Sequence, residues 1–388
     1  MAIRNRFAEL HDEITAWRRD LHRHPELMFD VHRTAGVVAE KLREFGCDDV
    51  VTGIGKTGVV GVIHGQKSAS GRTVGLRADM DALPIEETTG AEYASETIGK
   101  MHACGHDGHT AMLLGAAKYL AETRNFDGDV VVIFQPAEEG GGGGREMVNE
   151  GVIENFDIDE VYGMHNWPGM DVGQFSIRSG PFFAAADLVE IEITGRGGHA
   201  AKPQEVVDPT VAACNVVLAL QSIVSRSVDP IKQAVVSITS FQTSSTAFNV
   251  IPEKVTLKGT VRTLDRDVQD TVESRLKEIA THTAAAYGTE AKVDYRRNYP
   301  SMSNHPDETE YAAEAARRVA GACHDEPPTM GGEDFAFLLN ARPGAYILTG
   351  NGDSAKVHSP GYDFNDDAIP VGCSYWVELA ESRLPLAK

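Results

Sequence analysis

Positive charge is scarce in this chain. Lys and Arg number 36 against 57 Asp and Glu, a formal net charge of −21 over 388 residues. No basic field exists to gather a phosphate backbone or an anionic lipid surface, so neither nucleic acid nor membrane is an expected partner. Long apolar runs are also missing. None is expected to span a bilayer, and Met1-Ala2-Ile3-Arg4-Asn5-Arg6 has no apolar core of signal-peptide length. The few cysteines, Cys47, Cys104, Cys214, Cys323 and Cys373, are scattered and odd in number. A disulfide framework is therefore not expected; a reducing, cytoplasmic setting is. What is present, 42% hydrophobic and 24% charged residues, is the make-up of a globular protein, and the length suits two domains better than one.

Periodicity divides the chain. Apolar residues at Leu10, Ile14, Trp17 and Leu21 predict a helix over 7–21, stopped by His24-Pro25. A second helix is expected over 34–45 with Gly46 as terminator. Short β-rich runs at 58–64 and 73–76, a helix over 109–122, a strand over 129–134, a helix near 145–149 and a strand over 160–164 then alternate as in an α/β sheet. The middle has another grammar. A strand over 188–194, a helix started by Asp208-Pro209 and running to 226, strands over 234–241 and 254–263, a helix over 266–287 and a strand over 291–295 follow in turn. That order, β-α-β-β-α-β, is the pattern of a ferredoxin-like module. Segments 311–319, 333–339, 345–348 and 366–380 resume the first style. The expected fold is a discontinuous α/β catalytic domain, 1–184 and 299–388, with a ferredoxin-like domain inserted at 185–298.

The stretch Met101-His102-Ala103-Cys104-Gly105-His106-Asp107-Gly108-His109 packs three imidazoles, a thiol and a carboxylate just before a helix. Those groups hold divalent transition metals, and Gly105 gives the backbone between Cys104 and His106 freedom to curl round an ion. His102 and His109 are not expected to ligate, because neighbouring side chains cannot all converge on one site. The pair Glu138-Glu139 follows a strand apolar on both faces, and His165 closes another; in open α/β sheets ligands gather at such carboxyl ends. Taken alone, Glu138-Glu139 also fits a solvated acidic turn. His358 lies beside turn-forming residues. A carboxylate next to a ligand is what a metal-activated water needs as proton acceptor, so the chemistry indicated is metal-dependent hydrolysis. Two glycine-rich strings are decoys. Gly53-Ile54-Gly55-Lys56-Thr57-Gly58 precedes a strand instead of joining strand to helix, and Gly140 to Gly144 lacks a following Lys-Ser or Lys-Thr.

The chain resembles, over nearly its whole length, the two-metal aminoacylase and carboxypeptidase family, closest to its branch of hippurate hydrolase and indole-acetyl-amino-acid amidohydrolases. The strings that carry the likeness are Trp17-Arg18-Arg19-Asp20-Leu21-His22-Arg23-His24-Pro25-Glu26, Leu76-Arg77-Ala78-Asp79-Met80-Asp81-Ala82-Leu83-Pro84, Cys104-Gly105-His106 and Gln135-Pro136-Ala137-Glu138-Glu139. Gly195-Arg196-Gly197-Gly198-His199, Gly331-Gly332-Glu333-Asp334-Phe335 and His358-Ser359-Pro360 complete them in the family's order.

The resemblance implies two divalent ions bridged by the Cys104 thiolate, one completed by His106 and His165, the other by Glu139 and His358. Zinc suits the sulfur, and manganese, cobalt and nickel stay open. Glu138 is the implied general base, with Asp81 and His199 in the catalytic group. Cys104 stands where the wider family has a carboxylate bridge and Asp79 where it has a histidine ligand, so Asp79 and Asp81 are expected to support the metal shell. His199 is the implied oxyanion donor to a partner subunit; an ordinary loop histidine fits the same string. Asn249 and Arg262 are the implied contacts to a substrate carboxylate, although Arg262 at a strand end equally suits a surface residue. The inserted domain is the implied lid, pairing chains into a dimer or tetramer. The implied reaction is hydrolysis of an N-acyl amino acid, with carboxypeptidase or dipeptidase action as the alternative, and an inactive metal-holding dimer as the non-enzymatic one. Phe182, Phe183 and Tyr346 fit an apolar acyl pocket or core packing alike.

Overall fold

Residues 130 to 134 are apolar on both faces. In the computed structural model, which describes residues 2–386, they form the inside of a strand, Asp129–Gln135, within an eight-stranded sheet. The strand order is Asp49–Ile54, Gly58–His64, Asp129–Gln135, Thr73–Asp79, Glu160–Trp167, Gly344–Gly350, Phe175–Ile177, His324–Asp325. The four middle strands run parallel, Thr73–Asp79 between Asp129–Gln135 and Glu160–Trp167, and the last of these beside Gly344–Gly350. All four are buried along nearly their whole length, as parallel strands covered on both faces must be. Their carboxyl ends share one edge of the sheet. Antiparallel strands flank them on either side.

The chain divides into two compact units: Met1–Gly180 with Ser303–Pro327 and Asp334–Lys388, and Pro181–Met302 with Pro328–Glu333. In the first, helices Ala2–Arg23, His106–Thr123 and Ile369–Arg383 pack on one another. His106–Thr123 is central and apolar all round, with residues Ala111 to Ala117 buried without interruption. The structure starts this helix at His106, three residues before the periodicity does, because polar His106, Asp107 and His109 hide the first turn from a hydrophobic reading.

The second unit has a four-stranded antiparallel sheet ordered Ala234–Thr243, Lys254–Thr263, Ala185–Thr194, Glu290–Tyr299. Val189, Ile191 and Ile193 are buried from alternate positions of Ala185–Thr194, sharing a core with helices Pro209–Leu220 and Arg266–Ala286. Asp208 accepts from the Thr210 amide and Asp265 from those of Asp267 and Val268, so each helix has a side-chain cap. The first helix stops at Leu220 and a π turn, Ile223–Ser227, follows. By length and composition Pro209–Ser227 is a helical stretch long and apolar enough to cross a membrane, which departs from the expectation that no such run exists. Its apolar character has a local reason: Ala212, Ala213, Val216 and Leu220 pack into the unit's own core.

Candidate metal centre

Each parallel strand hands a functional group to the shared edge. Thr73–Asp79 leads into Asp81, and Asp129–Gln135 into Glu138-Glu139. His165 lies near the end of Glu160–Trp167, and Gly344–Gly350 leads to the loop of His358. The turns at the ends are forced. Ala137 (φ 54°) and His358 (φ 63°) sit in the left-handed region that non-glycine residues avoid. The Ala137 amide donates to Met28 O at 3.1 Å, and the His358 amide to Ala103 O at 2.7 Å. Both carboxylate oxygens of buried Asp81 accept main-chain bonds, from the Glu138 amide at 2.9 Å and the Glu139 amide at 3.1 Å. Asp81 thus aims the acid pair.

Cys104 is the hub. Its ligand atom and those of His106 and His165 all lie within 4.8 Å of one another, and so do those of Cys104, Glu139 and His358. Cys104 Sγ is 3.4 Å from His165 Nε2, and His358 Nε2 is 3.2 Å from Glu139 Oε1. Two ligands on one ion at about 2.0–2.3 Å stand about 3–4 Å apart, so these separations suit shared coordination. The ring nitrogens face the right way. His106 Nδ1 is engaged by Asp81 O at 2.8 Å and His165 Nδ1 by Asn166 O at 2.6 Å, which leaves each Nε2 lone pair directed inward. One atom asks for a cation most directly: His106 Nε2 is buried without a hydrogen-bond partner. One sulfur, three imidazoles and a carboxylate fit a divalent transition ion.

The electrostatics agree. Burial, reinforced by Glu139, Glu138 and Asp79, pushes the Cys104 thiol well above its ordinary value. Burial drives His106 down, but Asp79 and Asp81 outweigh it and raise the ring to about 10. Burial holds His165 well below its usual value, hence neutral. Excess negative charge with protons held against it is the environment in which a dication displaces those protons.

His109 and His102 behave differently from the ligand set. His109 Nδ1 pairs with Asp79 Oδ1 at 2.6 Å and its Nε2 accepts from the Asn166 amide at 2.9 Å, so both nitrogens are used. His102 is buried, with neither ring nitrogen bonded, and burial lowers it to about 3. Asp79 also receives Arg77 Nη1 at 2.7 Å, and Arg77 reaches Asp334 at 2.9 Å and Gln135 at 2.9 Å. Support from Asp79 is what the sequence led us to expect; the Arg77, Gln135 and Asp334 part of the chain escaped sequence reasoning, its only signal being membership of the quoted strings. Of the glycine-rich decoys, 53–58 is the hairpin between Asp49–Ile54 and Gly58–His64, and 140–144 is the turn into helix Gly143–Asn149. Tyr346 is fully buried in the first unit's sheet, and Phe182 and Phe183 are buried in the second unit.

The second unit brings His199 and Asn249 together. Gly198–His199 pairs with Val250–Ile251, and the Ala200 amide donates to Asn249 O at 3.0 Å. His199 Nδ1 accepts from the Ala201 amide at 3.1 Å, which puts the proton on the exposed Nε2. Arg262, half-buried on Lys254–Thr263, bonds Thr260 through its guanidinium.

A model of peptidase family M20/M25/M40 matches residues 75–382. The chain is 43% identical over 375 residues to a hippurate hydrolase of Campylobacter jejuni, covering 96% of this chain and 97% of the relative. It is 38% identical over 371 residues to an N-acetylcysteine deacetylase of Bacillus subtilis, covering 95% and 96%. Its fold matches the crystal structure of a dinuclear metal-binding peptidase of the M20 family from Bacillus subtilis with a TM-score of 0.85 at 35% identity, over 98% of this chain and 100% of that one.

Proposed function

The chain belongs to peptidase family M20/M25/M40, and we propose that within it the protein is a metal-dependent amidohydrolase that cleaves N-acyl amino acids to a carboxylate and a free amino acid. The observation that carries this reading is the placement of Cys104 in two ligand groups at once, with Glu138 beside them. Cys104, His106 and His165 would hold one ion, and Cys104, Glu139 and His358 the other; zinc, manganese, cobalt or nickel would serve. The chemistry such a bound pair supplies is Lewis acidity, a more acidic water and a more polarised carbonyl.

The chain's own residues do the rest. Glu138, aimed by Asp81, takes a proton from the attacking water and returns it to the leaving nitrogen. His199, with a proton on its outward Nε2, donates to the oxyanion in a partner subunit's site. Asn249 and Arg262 receive the substrate carboxylate, for which a guanidinium supplies a two-pronged partner. The second unit, in this reading, is an inserted ferredoxin-like lid through which chains pair. Its sheet order supports the first part, and exposed Val211, Leu218 and Phe241 on its helix and edge strand support the second. A cytoplasmic location fits the absence of disulfides among the described residues.

The test is a chelator-sensitive assay with N-benzoyl-, N-acetyl-amino acids and dipeptides. Acyl-amino acids are expected to be cleaved, activity to vanish on chelation and to return with divalent metal. Preference for dipeptides would transfer the protein to the peptidase reading, and full activity without metal would end both. In Glu138→Gln, turnover should fall by about a hundredfold or more with metal content unchanged; near wild-type turnover removes Glu138 as the base.

A further inference from the structure

Helix Ala2–Arg23 places two charged side chains, Arg18 and His22, in the interior of the first unit, where the proposed chemistry has no use for them. Arg18 has no exposed surface. A buried guanidinium persists only where opposite charge meets it, and here three carboxylates do. Arg18 Nε lies 3.1 Å from Asp107 Oδ2 and 3.6 Å from Asp366 Oδ1, and Nη2 lies 2.5 Å from Asp363 Oδ1 and 3.1 Å from Phe364 O. Asp107 directly follows His106. Asp363 and Phe364 belong to the loop that follows His358. One planar group therefore grips both the segment that carries Cys104 and His106 and the segment that carries His358. His22 completes the grip on the first of these, with Nδ1 2.8 Å from Asp107 Oδ2.

The two segments also meet elsewhere. The His358 amide bonds Ala103 O, and the loop packs closely on the first segment: a Cβ on Gly108 would lie 2.3 Å from the Phe364 ring and one on Gly105 2.4 Å from Tyr362 Oη. His358 is itself the most open member of the ligand set, with 52% of its side chain exposed, whereas His106 and His165 are buried. Burial, together with the bonds of His106 to Asp81 O, His165 to Asn166 O and Asn166 to Cys104 O, fixes the Cys104, His106 and His165 side. The His358 side depends on its loop.

We propose that Arg18 is a positioning residue that sets the distance between the two halves of the metal centre by tying the Cys104–His106 segment to the His358 loop. This role rests on the two-ion reading above. It assigns Arg18 a specific effect: losing it frees the His358 loop and loosens the ion held by Glu139 and His358, while the ion held by His106 and His165 keeps its site. The fork is essential, since a lysine offers a single point charge and cannot reach Asp107 and Asp363 together.

The experiment is a calorimetric and spectroscopic titration of the full-length metal-free protein with cobalt(II), comparing wild type, Arg18→Met, Arg18→Lys and Asp363→Asn, with melting of each metal-free variant as the control for folding. Wild type should take up two equivalents. In Arg18→Met and Arg18→Lys the first equivalent should bind within about threefold of wild type and the second about ten- to a hundredfold more weakly, the range for partners one layer behind a ligand. Asp363→Asn, a change at a partly exposed loop position, should weaken the same step and decides the matter if the Arg18 variants do not fold. Two unaltered equivalents in the variants, or equal weakening of both, overturns the positioning role and leaves Arg18 as plain scaffold. Fewer than two equivalents in wild type overturns the two-ion reading itself.

Discussion

Gly105→Ala tests the architecture of the centre with a single methyl group. Gly105 caps helix His106–Thr123 at φ +88°, and a Cβ there would lie 2.3 Å from Asn166 Nδ2 and 2.4 Å from Tyr362 Oη. Neither atom can move freely. Asn166 Nδ2 donates to Cys104 O at 2.6 Å, the Tyr362 hydroxyl donates to Asn166 Oδ1, and both residues are buried. The left-handed backbone costs an alanine about 1–2 kcal/mol, and forcing a methyl into a packed site adds about 1–3 kcal/mol. The sum, about 2–5 kcal/mol, is a large part of a typical domain's stability of about 5–15 kcal/mol. Gly46 supplies the internal control: its φ is +79° with nothing within 4 Å of the added Cβ, so Gly46→Ala carries the backbone cost alone. Chemical denaturation of both metal-free variants separates the two contributions, and zinc competition against a chromophoric chelator reads the site. Gly105→Ala should lose more stability than Gly46→Ala and bind metal more weakly, because the methyl displaces the amide that holds Cys104 O. Equal stability losses and wild-type metal affinity would refute the reasoning.

Cys104→Ala should lower metal content per chain, since the sulfur belongs to both ligand groups; unchanged stoichiometry by elemental analysis removes the bridge. Asp79→Asn should cost about 3–5 kcal/mol by weakening the buried pairing with Arg77 and His109, yet leave the number of bound ions unchanged. Loss of one ion would make Asp79 a ligand. His22 gives the pH dependence. Burial depresses its pKa, but Asp107 and Glu87 raise it from 6.5 to about 9. Its stabilisation is therefore complete below pH 6.5 and lost as pH rises through 9. At about 1.4 kcal/mol per pH unit, the stability gap between metal-free wild type and His22→Gln should shrink by about 3 kcal/mol between about pH 6 and about pH 10. A constant gap would show that the pair with Asp107 does not form.

Elements with a clear period were legible: the apolar central strand Asp129–Gln135, and the alternation of Ala185–Thr194 with Asp208 capping the next helix. Asp49–Ile54 was missed because an edge strand with exposed residues on both faces carries no apolar alternation. His324–Asp325 was missed because two residues carry no period at all. The helix expected to reach residue 226 stops at Leu220, where a π turn intervenes without any proline or glycine to announce it.

Most candidate ligands could be picked out for a different reason: Cys104, His106, Glu139 and His165 lie near the end of a strand or the start of a helix, whereas His358 sits in the loop after Gly344–Gly350. What local sequence hides is the set of contacts that make those ends converge. Arg18 to Asp363, Arg77 to Asp334 and Asn166 to Tyr362 each join residues far apart in the chain, and nothing in one segment announces its partner in the other. Backbone strain follows the same division. Among the described residues six non-glycine positions have positive φ, and three of them, Met28, Ala137 and His358, belong to turns that bear candidate groups or hold such a turn in place. Such strain persists only where surrounding contacts over-determine the conformation. Here each turn is held from another segment: the Cys104 segment accepts the His358 amide, and Asp81 accepts the amides of Glu138 and Glu139. Removing one such support should therefore reach the candidate group on the turn it holds before it reaches the sheet.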